Sequence, residues 1–174
     1  MKLLALAYPE ISNGDFNRIQ IFRKKYDALH FKTVASHFTL VFSVDDFSEN
    51  DFASEIKKQL KGCKAIPFSL QRATVHADSF LDRFHSFLVP ENGQDEIIHL
   101  HDKLYSDRLQ RHWRKDIEYI PHVGIGNSPD KILCQKMADE WNSMNIKISG
   151  IISSIDIVVY ENQTVTTLEN IKLE

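Results

Sequence analysis

Cysteine is scarce in this 174-residue chain, with Cys63 and Cys134 the only two. Two cysteines cannot build a disulfide framework, and these show no paired metal-ligand spacing, so both read as reduced and structural. A basic excess is missing too: 21 Lys and Arg stand against 24 Asp and Glu, for a net charge of −3. That balance argues against an extended groove tracking a phosphate backbone and leaves room for a short nucleotide end. No uninterrupted apolar run is long enough to cross a bilayer. The apolar start Met1-Lys2-Leu3-Leu4-Ala5-Leu6-Ala7 runs straight into Tyr8-Pro9-Glu10, so it does not read as a signal peptide. The expectation is a cytoplasmic monomer with no membrane partner.

What is present is ordinary in bulk, with 43% hydrophobic and 26% charged residues, as expected of a globular protein. The length suits one core or two small lobes sharing one, so residues 1–174 are taken as a single two-lobed unit. Residues 2–8 read as a strand. Ser12 or Asn13 then caps a helix with Phe16, Ile19, Phe22, Tyr26 and Leu29 on one stripe. A strand at 37–44 follows. Asp46 to Lys61 reads as a helix with Phe52, Ile56 and Leu60 on one face and Gly62 as its stop. Ala65 to His76 reads as a strand with Pro67 near its start, where a missing donor is tolerated.

The second half repeats the order. A strand is expected at about 80–89, a helix at about 93–106, and a strand from His122. Ser128-Pro129 reads as the start of a helix with Leu133, Met137, Trp141 and Met144 along one side. Strands at about 147–160 and 165–172 finish the chain, separated by Glu161-Asn162-Gln163. The halves divide at about residue 78, into 1–78 and 79–174, and repeat in element order rather than in residue identity.

Two stretches stand out, His37-Phe38-Thr39-Leu40 and His122-Val123-Gly124-Ile125. Each places a histidine two residues before a small residue in a strand, where positions i and i+2 share a face. Phe38, Leu40 and Phe42 lie on the opposite face of the first, and Val123 and Ile125 on that of the second, so each strand reads as apolar toward a core. The histidines lie 85 positions apart, close to half the chain. A duplicated unit folded about a pseudo-two-fold axis would bring them to one cleft.

Histidine exchanges a proton near neutrality without further tuning, so a facing pair can divide acid and base work. In displacement at phosphorus the entering and leaving oxygens lie roughly in line, and acid and base belong on opposite sides of the phosphate. A hydroxyl two residues beyond a histidine would hold a non-bridging oxygen between the rings, and Thr39 fits. No metal is required by such a scheme.

On these motifs the chain resembles the two-histidine phosphoesterase superfamily, which includes 2′-5′ RNA ligase-like proteins and cyclic nucleotide phosphodiesterases. His37-Phe38-Thr39-Leu40 meets the family's His-x-Thr/Ser-x signature in full, whereas Gly124 stands where the second copy has threonine or serine. The resemblance implies an α+β, bilobal fold with an antiparallel sheet flanked by helices in each lobe and the active site in the cleft between them. It implies phosphodiesterase chemistry at 2′,3′-cyclic or 2′-5′ linkages of a small nucleotide or RNA terminus, with no cofactor and no metal. His37 and His122 would be catalytic, Thr39 would bind phosphate, and the Gly124 backbone N–H would stand in for the missing hydroxyl.

Other candidates read as structural. His99-Leu100-His101 cannot share a helix face at i, i+2, so it reads as a solvated surface rather than a metal site. His30, His76, His85 and His112 lack partners at useful spacing and read as structural or exposed. Arg83 and His85 share a face and reach the cleft if their strand lines it. Arg18, Arg23, Arg83 and Arg114 are candidate cations for a phosphoryl group. The segment from Arg108 to Lys115 offers Trp113 for base stacking, but a packed tryptophan with exposed arginines is the expected arrangement. The rival readings are a nucleotide or RNA-end binding module with little catalysis, favoured by Gly124, and a hydrolase with histidine-bound metal.

Overall fold

Serines start the first two helices by the same device. Ser12 accepts from the Asp15 backbone N–H ahead of helix α1, and Ser48 accepts from Asp51 ahead of α2, each filling an orphan donor of a first turn. In this computed structural model, which describes residues Met1–Glu174, the elements run β1 (Lys2–Ala7), β2 (Glu10–Ile11), α1 (Asn13–Tyr26), β3 (Phe38–Val44), α2 (Glu49–Leu60), β4 (Ile66–Ala77), β5 (Phe84–Asn92) and α3 (Gln94–Leu104). They continue as β6 (Val123–Ser128), α4 (Lys131–Ser143), β7 (Ile148–Ile152), β8 (Ser154–Glu161) and β9 (Thr164–Lys172), with a 3-10 turn at Asp107–His112 before β6.

Several boundaries differ from expectation for local reasons. Helix α1 ends at Tyr26, leaving Leu29 in the following loop, and α2 begins after Ser48 rather than at Asp46. The cap of α4 is Asp130, whose carboxylate accepts from Ile132; Ser128 instead receives the Asp130 N–H. Gly93 joins β5 to α3 at φ +80°, and a Cβ there would lie 2.4 Å from the Pro67 carbonyl oxygen, so only glycine fits. The expected strand at 147–160 is two strands, β7 and β8, broken at Ser153 and placed in different sheets. Asn162 and Gln163, both left-handed at φ 52° and 61°, close the tight β8–β9 turn.

All strand pairs are antiparallel, in a four-stranded sheet ordered β3-β1-β8-β9 and a five-stranded sheet ordered β2-β7-β4-β5-β6. The fold is therefore α+β and bilobal. Each sheet draws on both halves of the chain: β8 and β9 complete the sheet begun by β1 and β3, while β4 sits inside the other. The helices cross over likewise, with α1 and α4 packed on the five-stranded sheet and α3 against β3. One apolar cluster, including Phe38, Leu40, Phe68, Leu88, Val123, Ile125 and Trp141, runs through the molecule. No helix is long and apolar enough to cross a membrane.

Candidate active site

The two motif strands, β3 and β6, are each the outer strand of their sheet. Each also carries a β-bulge at the same motif position. Leu6 pairs with Thr39 and Ala5 with Val41, which leaves Leu40 unmatched; Phe87 pairs with Gly124 and Ser86 with Gly126, which leaves Ile125 unmatched. Leu40 and Ile125 are the fourth residues of their motifs, and both are fully buried. A bulge re-aims the strand next to it. The bulge also explains why Phe42, expected on the core face, is exposed: the extra residue returns it to the face of His37 and Thr39.

Both histidines are fixed the same way. The Nδ1 of His37 lies 2.7 Å from the Ala35 carbonyl oxygen, and that of His122 lies 2.6 Å from the Ile120 carbonyl oxygen. A carbonyl oxygen only accepts, so each Nδ1 carries its proton and each neutral ring leaves Nε2 free to accept another. Both rings are partly exposed yet crowded by protein, and this desolvation pulls each pKa down to about 4. A proton on His37 further disfavours one on His122.

The surroundings of the rings differ. Phe87 stacks on His122 with centroids 3.6 Å apart and planes 15° from parallel, whereas Tyr8 meets His37 edge-on at 6.2 Å. Burial and the nearby Asp156 raise the pKa of Tyr8. Thr39 is tied to the second motif's approach loop, because the Tyr119 hydroxyl donates to its carbonyl oxygen at 2.9 Å. The Tyr119 ring lies flat on His101, centroids 3.7 Å apart. Gly124 has no such constraint: a Cβ built there meets nothing within 4 Å, and its φ is outside the left-handed region.

The remaining candidates sort clearly. Arg23, only 2% exposed, is consumed by Asp27, with Nε and Nη2 at 3.0 and 2.8 Å from one carboxylate oxygen. The other oxygen of Asp27 accepts from Asn127 of β6 at 2.6 Å, which ties the loop leading into His37 to the His122 strand. Arg18 pairs with Asp15 and Arg114 with Asp116. Arg83 donates to Asn127 at 3.2 Å and is in no ion pair, and its Nε is buried without a partner. His85 is buried, bonds Asp78 at 2.6 Å and stacks on Phe87, as does His76. Trp113 packs against the core and Tyr105, leaving the neighbouring arginines exposed.

One reading is corrected. His101 is not a solvated surface residue; it is 2% exposed, since α3 turns it inward against Tyr105 and Tyr119 while His99 faces solvent. No group of three or more His, Cys, Asp or Glu side chains is disposed to hold a metal ion. Tyr8, Phe87 and Tyr119 escaped the sequence reading. Phe87 of β5 and Tyr8, just past the end of β1, reach the motif rings only through the fold, and Tyr119 reaches the Thr39 backbone in the same way.

Comparison with known proteins bears on this arrangement. The chain is similar over essentially its whole length to E. coli LigT in its apo form, at 15% identity and a TM-score of 0.64, covering 99% of this chain and 96% of that one. It is similar to TT0787 of Thermus thermophilus at 12% identity and a TM-score of 0.61, with 99% and 98% coverage. Usb1 of Kluyveromyces marxianus, also solved with uridine monophosphate, matches at 10% identity and a TM-score of 0.53, with 96% and 97% coverage. No curated protein sequence matches. The model of the 2′-5′ RNA ligase superfamily matches residues 9–164, and the chain belongs to that superfamily.

Proposed function

We propose that the protein is a metal-independent phosphodiesterase acting on 2′,3′-cyclic or 2′-5′ phosphodiester bonds of small nucleotides or RNA ends. The observation that supports this most is the matched pair of histidines: two edge strands, two bulges at the same motif position, and two Nδ1–H groups held by backbone carbonyls. That anchoring leaves each Nε2 to face the phosphate. One neutral Nε2 takes the proton of the entering hydroxyl or water, and the other, protonated, delivers one to the leaving oxygen. Thr39 donates to a non-bridging oxygen, and the backbone N–H of Gly124 does so opposite. The solved complex of a superfamily-like fold with uridine monophosphate is in keeping with a nucleotide substrate.

The depressed pKa values shape the cycle. With both rings near 4, the free protein at neutral pH holds two bases and no acid. A bound phosphodiester supplies the missing counter-charge: an anion about 4 Å from an imidazolium is worth roughly 4 kcal/mol at a partly buried site, or about three pKa units. That is enough to lift one histidine back toward neutrality once substrate is in place. Substrate therefore recruits its own general acid.

The test is turnover of a nucleoside 2′,3′-cyclic monophosphate in chelator, with kcat and kcat/KM measured against pH. The expected kcat/KM, which reports the free protein, falls about tenfold per pH unit above the histidine pKa, as the singly protonated pair becomes rare. The kcat profile, which reports the complex, keeps its maximum closer to neutrality. Saturable binding without product would instead make the protein a nucleotide-end binding module, the reading that Gly124 favours.

A further inference from the structure

Three large apolar side chains on β3 and the β4–β5 connection stay in solvent: Phe42 at 38%, Phe80 at 62% and Leu81 at 55% exposed. Phe80 and Leu81 lie in the β4–β5 connection, which reaches from the five-stranded sheet to the other lobe and puts the Phe80 ring 6.5 Å from that of Phe42. The bulge at Leu40 turns Phe42 to the face of His37 and Thr39, so these rings continue the surface of the candidate site. The guanidinium of Arg114 lies over Phe80, 5.4 Å from its centroid. Asp116 holds that guanidinium with two hydrogen bonds at 2.9 and 2.6 Å.

The connection that carries Phe80 is built rather than slack. One oxygen of Asp78 accepts from the backbone N–H groups of Phe80 and Leu81 at 2.7 and 2.8 Å, and the other meets His85 Nε2 at 2.6 Å. His85 stacks on Phe87, which stacks on His122. A chain of contacts thus runs from the exposed ring to a motif histidine. The patch has what a flat π-ligand needs: an aromatic face, a cation packed on the ring and a second ring beside it.

We propose that Phe80, backed by Arg114 and flanked by Phe42, is the stacking platform for the nucleobase of the substrate whose phosphate lies between His37 and His122. The proposal rests on the phosphodiesterase reading above. It moves base stacking away from Trp113, which the core occupies, to the side chain covered by its neighbour Arg114. Stacking uses the π-face that every base shares. The platform separates substrates with a base from those without one and discriminates little among bases.

The test compares 2′,3′-cyclic AMP with the 2,3-cyclic phosphate of ribose lacking a base, as a ratio of kcat/KM values. In Phe80→Ala that ratio falls about tenfold, within the range measured for removing one base–aromatic stack, and Phe80→Trp restores it. A ratio unchanged in Phe80→Ala, or one that Phe80→Trp fails to restore, overturns the platform. If the wild-type protein turns over neither compound, the phosphodiesterase reading fails separately. The platform is then judged by calorimetric affinity for adenosine monophosphate against ribose phosphate, where the same tenfold drop supports it and no drop overturns it.

Discussion

Strands β3 and β6 agree in backbone and disagree in side chains. Both are outer strands, both bulge at the fourth motif residue, and both lock a histidine through Nδ1 to a carbonyl two residues upstream. They part at the third motif position, Thr39 against Gly124, and at the ring's neighbour, edge-on Tyr8 against face-on Phe87. What is shared sets where the two Nε2 atoms point, which is what the proposed proton transfers need. What differs is the means each half-site would bring to the proposed phosphate, a side-chain hydroxyl on one side and a backbone N–H on the other.

The sharpest way to break the comparison is to remove each histidine. His37→Ala and His122→Ala should each lower kcat on a 2′,3′-cyclic nucleotide by about 10²- to 10⁴-fold, the usual yield of a positioned acid or base. Equal losses fit equivalent rings, while wild-type-like turnover in either variant dissolves the pairing. Thr39→Ala comes next. If the first half-site carries most of the side-chain grip on phosphate, kcat/KM should fall about 10²-fold, as for a lost oxyanion donor. A loss below threefold in a steady-state assay would place the grip elsewhere.

Acid should expose the similarity of the two rings. Both histidines have folded pKa values near 4 against 6.5 for the ordinary side chain, so the unfolded chain binds more protons between those values. Stability is then present in full above about 6.5 and is lost as pH falls toward 4. Urea midpoints measured at pH 7 and pH 5 should show the drop, and each histidine-to-alanine variant should blunt it by a similar share. The smallest effect is expected from Gly124→Thr. Open space at the Cβ and an ordinary φ let the hydroxyl in without strain, so the variant should keep its unfolding temperature and match or exceed wild-type kcat/KM by a few-fold. A large loss would mean that the cleft needs the empty volume.

The sequence made the motif residues legible because period-two alternation and the spacing of 85 positions survive in one dimension. It misled wherever one extra residue changed the parity of a strand: Phe42 read as core, and the bulge at Leu40 put it outside. It missed the split at Ser153, since β7 and β8 are both apolar and nothing local says that they enter different sheets. His101 read as solvated because its burial depends on Tyr119, contributed by a distant loop. Arg23 read as a candidate cation, but its partner, Asp27, is visible only as an i, i+4 pair that the fold buries.

The exchange of strands between the halves has a mechanical meaning. Because β8 and β9 finish the sheet that β1 and β3 begin, while β4 lies within the other, no single segment serves as a hinge between the lobes. Spreading the lobes would mean flexing every crossing at once and parting the apolar core they share, where Phe38 of β3 meets Phe68 of β4. The spacing of the two motif strands is thus set by packing, as a fixed gauge rather than a jaw.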